Sequence, residues 1–262
     1  MARICLLAGL LAASTWAFAA DGGYGIEYRM VLFLHQALFV FWLGPDIGVY
    51  LWSRKLTNTE ITPAQRVAAG RIMPVISVIS LACMSLMLTI GGILTEIRGI
   101  EHAWWQMAGI IALGPVWLGL TLLTFARSGS DAGAQLARYD ILFRWVVIAA
   151  VLVSVGIATA QGRLDEVPWV TGKLLLFALL VFFGIMIRQR LNPMTGVIDQ
   201  MESAGPSPEL DQKLNSAVGG ARAFMIASWV ALAIAAGLGT FQPGSPVNTM
   251  SLENRMNVLP AE

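Results

Sequence analysis

Charged side chains are scarce in this chain. Asp, Glu, Lys and Arg make up 13% of its 262 residues, against 56% hydrophobic. An average soluble domain carries about 25% charged residues, so a water-exposed globular surface is excluded. The net charge of +1 comes with no basic cluster interleaved with aromatics, which excludes a nucleic-acid partner. Cysteine is scarcer still: Cys5 and Cys83 are the whole set and make no disulfide framework. Histidine is limited to His35 and His102, so no membrane helix can offer a pair of imidazoles. The chain has no C-x-x-C-H, which excludes covalently attached haem. A P-loop, H-E-x-x-H, G-x-S-x-G and the dinucleotide glycine fingerprint are also missing.

What the chain does have is apolar length. Six runs, near 30–52, 73–96, 104–126, 142–160, 169–188 and 222–241, each approach the ~17 to 25 residues that cross a bilayer. Hydrocarbon offers no water to open backbone groups, and the alternation of a barrel strand is missing, so these runs must be helices. The expected fold is an all-α integral membrane protein, a six-helix bundle over 20–241 in contact with the lipid bilayer. Mostly short connections favour antiparallel neighbours in one bundle. Ahead of it, "MARICLLAGLLAASTWAFAADGG" has Arg3, an apolar core and the small residues Ala17 and Ala19 about Phe18. That is the layout of a signal peptide over 1–19, with an uncleaved seventh helix as the alternative. The polar stretch 189–221 reads as a loop, with a helix start at Ser207 and Pro208. Residues 242–262 read as a poorly ordered tail.

Lys and Arg orient the bundle. With the mature amino terminus outside, the inner segments hold eleven, among them Arg54, Lys55, Arg66, Arg138 and Arg190, while the outer ones hold only Arg29, Arg98, Arg163 and Arg255. The positive-inside rule then puts both mature ends in the periplasm of a bacterial inner membrane. Trp104, Trp105 and Trp169 fall at outer helix ends, the level that indole rings favour.

Ionisable residues inside apolar helices mark sites or paired charges, and "LFLHQALFVFWLGPDIGVYLW" at 32–52 carries two of them. His35 lies about 7 Å below the outer boundary of its span. Lys173 lies at nearly the same depth in the fifth span, where it either belongs to a site with His35 or snorkels to the headgroups. Trp42 and Asp46 follow His35 at i+7 and i+11, within about 20° on a helical wheel, so one inward stripe carries all three. Asp46 is either the ion-pair partner of Arg144 or a proton relay toward His35, and Pro45 should kink the helix beside it. His102 stands in an outer loop, as a second ligand or as a solvated side chain. Cys83 and Met87 share a helix face at i, i+4, which suits either copper or simple packing. Gly91, Gly92 and Gly109 lie near the depth of His35, where missing side chains make room for a macrocycle or for close helix packing.

"HQALFVFWLG", which is His, six mostly apolar residues, Trp, one residue and Gly, resembles the first core helix of the copper resistance protein D family. It is also similar to the HemJ-type protoporphyrinogen oxidases and to the membrane domain of bacterial membrane-bound urate oxidase. In the HemJ-type proteins a later helix opens with an intramembrane lysine, and "WVTGKLLLFALLVFFG" resembles it at Lys173. The resemblance covers about two helices of six and implies a functional role for His35 and Lys173.

Three functions follow. One is a haem-b-binding redox or tetrapyrrole-linked membrane protein, with His35 as axial ligand beside Trp42, and Lys173 facing a propionate or anionic substrate. Another is a copper-permease-like transporter using His35, Cys83 and Met87. A third is a non-catalytic subunit of a larger complex. The first two would exchange electrons or metal with an electron-transfer or periplasmic metal-carrier protein. The orientation is testable now. Single cysteines at Thr57, Ser130 and Ser207 should resist a membrane-impermeant thiol reagent in intact cells, while one at Ser251 should be labelled. The inverse pattern would reverse the topology.

Overall fold

A computed structural model describes residues 25–244. The stretch read as a signal peptide and residues 245–262 of the tail lie outside the described residues. Seven helices follow in order: α1 (Ile26–Leu56), α2 (Pro63–Ile97), α3 (Trp104–Ala126), α4 (Asp131–Ala160), α5 (Pro168–Leu191), α6 (Met194–Ala204) and α7 (Pro208–Phe241). Among the described residues there is no strand. Six of the helices are long and apolar enough to cross a membrane, so the chain is an all-helical, multi-pass membrane protein.

The apolar runs read from the sequence lie within these helices, but several helices run further. α2 begins ten residues before its apolar run, α4 eleven and α7 fourteen. These extensions are amphipathic rather than apolar, so a hydropathy reading passes over them. The polar stretch 189–221 is likewise mostly helix rather than loop. Met194, Val197, Ile198 and Met201 are buried at i, i+3, i+4 and i+7 of α6, and Leu210, Leu214 and Val218 recur at every fourth position of α7. Ser207 does start α7: its hydroxyl accepts from the Leu210 N–H at 3.3 Å, with Pro208 in the first turn.

The described residues divide into two compact units, 25–44 with 79–122 and 45–78 with 123–244. The first unit contains the first part of α1, the last part of α2 and most of α3. Its helices meet through small residues: the side chain of Ile110 fills the space over Gly92, where an added Cβ would lie 2.5 Å from Ile110 Cγ2.

The second unit has a core of its own. Leu56, Met73, Ile198, Met201, Leu214 and Val218 pack together, so α6 and the first turns of α7 close over the end of α1 and the start of α2. Arg66 ties this end. Its Nε donates to the carbonyl of Leu56 at 2.9 Å and its Nη2 to Asp211 Oδ1 at 2.5 Å. One buried guanidinium therefore satisfies an orphan carbonyl at the end of α1 and pairs with the first turn of α7. Arg66→Met should lower stability by about 3 to 5 kcal/mol, because it leaves that carbonyl and carboxylate without their donor. Thermal melting in detergent reads the loss, and an unchanged midpoint would deny Arg66 this role.

Candidate functional site

His35 stands nine residues into α1 and is half-buried. An added Cβ on Gly91 of α2 would lie 3.4 Å from His35 Cε1 and 3.9 Å from Nδ1, so the imidazole rests against bare glycine backbone. The three glycines singled out from the sequence thus part company. Gly91 faces the histidine, Gly92 is filled by Ile110 for helix packing, and Gly109 has nothing within 4 Å of its Cβ position. Gly91 is covered by the imidazole, and Gly109 is exposed and open.

The stripe on α1 turns inward. Trp42 is buried and Asp46 half-buried, whereas Phe33, Leu34 and Phe41 on other faces are exposed. Pro45 stands inside α1 and offers no N–H to the carbonyl of Phe41. On the next carbonyl, that of Trp42, the hydroxyl of Ser80 donates at 3.0 Å, so α2 holds α1 at the proline.

His102 is tied to the end of α2 by Glu96. Its backbone N–H and its ring Nδ1 both meet Glu96 Oε2, at 3.1 and 2.7 Å, which closes the turn between α2 and α3. A ring held at Nδ1 by a carboxylate has its orientation fixed and turns Nε2 to the other side, the usual way a carboxylate positions a histidine. Glu96 was not singled out from the sequence, since a carboxylate six residues before a loop histidine carries no signal without the turn.

Cys83 and Met87 are both buried, in one seam with Ser80, Met84 and Leu94 of α2. Their spacing of threes and fours is that of a helix-packing face.

The second unit holds Lys173, half-buried on α5. Its Nζ lies 5.8 Å from the centroid of Trp169, one turn earlier, and 2.7 Å from where a Cβ on Gly239 of α7 would be. The ammonium thus rests on an indole face and on the backbone of α7. His35, Trp42, Cys83, Met87 and His102 all belong to the first unit, and Asp46 and Lys173 to the second.

The largest buried charge cluster was not read from the sequence. Asp140 of α4 is completely buried; its Oδ2 accepts from Arg144 Nε at 2.9 Å and from Arg188 Nη1 of α5 at 2.5 Å. The sequence reading offered Arg144 to Asp46, and here it has a carboxylate one turn before it on its own helix. The i, i+4 spacing of Asp140 and Arg144 was the available signal. It was missed because Asp140 lies just before the apolar run. No family profile, curated protein or solved structure matches the chain.

The cluster predicts an order of effects. Asp140→Asn should cost about 3 to 5 kcal/mol, since it strands two guanidiniums, one of them wholly buried. Arg188→Gln should cost clearly less, because that side chain is about one-third exposed. Melting midpoints in detergent give the order, and equal losses would contradict it.

Proposed function

We propose that this chain is a haem-b-binding redox or tetrapyrrole-linked protein of a bacterial inner membrane, with its ligand held in the first unit at His35. In that membrane both mature ends face the periplasm, as the distribution of arginines favours. The observation that carries the reading is the contact of the His35 imidazole with Gly91, because a ligating ring in an apolar helix needs a wall that gives it room.

The donor set suits a tetrapyrrole better than a bare ion. Among the described residues no three His, Cys, Asp or Glu side chains gather as an ion site requires. A porphyrin brings four nitrogens of its own and asks the protein for one or two axial ligands. Bound there, it supplies a one-electron couple at its iron. The chain's residues have separable roles. His35 would hold the iron through its imidazole. Gly91, having no side chain, lets that ring lie against α2, and Trp42 keeps the inward stripe apolar. His102, oriented by Glu96, is the other imidazole of this unit and would be the second to offer a ring nitrogen.

The test is a haemin titration of detergent-purified protein. Wild type should develop a Soret band that saturates near one equivalent. His35→Ala should lose or strongly shift it, and Gly91→Leu, which drives a side chain into the imidazole, should weaken binding at least as much as His102→Ala. An identical band in His35→Ala would refute the assignment. Absence of any band, together with copper uptake that fails in Cys83→Ser and Met87→Leu, would move the function to the transporter class.

A further inference from the structure

α3 carries a side-chain bridge at one rung that no part of the haem reading uses. An uninterrupted α-helix would join the N–H of Gly114 directly to the carbonyl of Ile110. Here the hydroxyl of Thr89, from α2, meets both groups: it accepts from Gly114 N–H at 3.0 Å and donates to Ile110 O at 2.6 Å. Thr89 is buried, and an added Cβ on Gly114 would lie 2.6 Å from its Oγ1, so glycine is what admits the hydroxyl. The following residue is Pro115, which has no N–H for the carbonyl of Ile111. Two successive rungs of the ladder are therefore bridged or missing, and side-chain insertion beside proline is where membrane helices bend.

The same turn of α2 carries the other contacts of the unit. Ile110, whose carbonyl Thr89 holds, packs its side chain over Gly92, and the adjacent Gly91 is the wall of His35. We propose that Thr89 is a latch that gives α3 two states. With the hydroxyl inserted, the outer half of α3 is held with Ile110 seated over Gly92. With the hydroxyl turned away, Gly114 N–H closes onto Ile110 O, the turn tightens, and Ile110 leaves Gly92. Two bonds through the hydroxyl give way to one direct rung, so neither state strands a backbone group in lipid, and the inserted state is favoured by the partners that the buried hydroxyl would lose on turning away. Movement of Ile110 changes the packing of the α2 turn that faces His35, which makes the latch a means of admitting or releasing a ligand there. The two-state claim itself needs no ligand.

Nuclear magnetic resonance of the full chain in detergent micelles tests it, with no haem present. Two signals are read: hydrogen exchange at the Gly114 amide, and the cross-peak between an Ile110 methyl and the Gly92 α-protons. In wild type the cross-peak should be strong. Thr89→Val, nearly isosteric but without the hydroxyl, should alter Gly114 exchange, because the acceptor of that amide changes from a side-chain hydroxyl to a backbone carbonyl, and should remove the cross-peak. Thr89→Ser, which keeps the hydroxyl, should match wild type in both. Wild-type exchange with a retained cross-peak in Thr89→Val would overturn the latch, and so would a changed signal in Thr89→Ser, which does not depend on whether Thr89→Val folds. A failed haemin titration would leave these signals unaffected.

Discussion

A peptide carbonyl in hydrocarbon cannot turn to water, and each one left open costs several kcal/mol. Prolines Pro45, Pro74 and Pro115 stand inside α1, α2 and α3, and each withdraws one donor from its helix. Hydroxyl groups of α2 cluster at the same levels, each on a carbonyl next to the gap rather than on the one the proline opens. Ser77 donates to Met73 O near Pro74, Ser80 to Trp42 O near Pro45, and Thr89 to Ile110 O near Pro115. Two of these bonds, from Ser80 and Thr89, tie a neighbouring helix to α2 beside its proline. At the end of α1 a guanidinium does satisfy a terminal carbonyl, through Arg66 on Leu56 O.

The same constraint separates structural charge from functional charge. Asp140, Arg144 and Arg188 are paired within one unit, and their burial is compensated by short, direct hydrogen bonds. Lys173 rests on Trp169, in the first turn of α5, and on the backbone at Gly239, near the end of α7. His35 differs in its surroundings, since its ring lies against the bare backbone of Gly91. The proposed function rests on that contact and not on the larger charged cluster.

Hydropathy made the six spans legible, because apolar length is a property of consecutive residues. It also made the inward stripe of His35, Trp42 and Asp46 legible, because helical periodicity fixes which residues share a face. The extensions of α2, α4 and α7 and the whole of α6 were hidden, since amphipathic helices outside the hydrocarbon average to an unremarkable polarity. Met194, Val197, Ile198 and Met201 carry the helical period that would have revealed α6. Contacts between helices were beyond reach: nothing in the order of residues couples Thr89 to Gly114, or tells the packing glycine Gly92 from its neighbour Gly91. Chain-local spacing speaks of faces, and only the fold says what each face meets.

The central claim is the proposal that His35 holds a tetrapyrrole. It is tested most directly by what the protein carries from the cell. Full-length protein would be purified from membranes of cells supplied with a haem precursor, extracted with acidified acetone, and its pigment identified by mass and by absorption as the pyridine complex. The account predicts b-type haem or a related tetrapyrrole at roughly one per chain, extractable because no cysteine pair exists to attach it. An extract with no tetrapyrrole, from protein whose melting curve shows it folded, would contradict the claim.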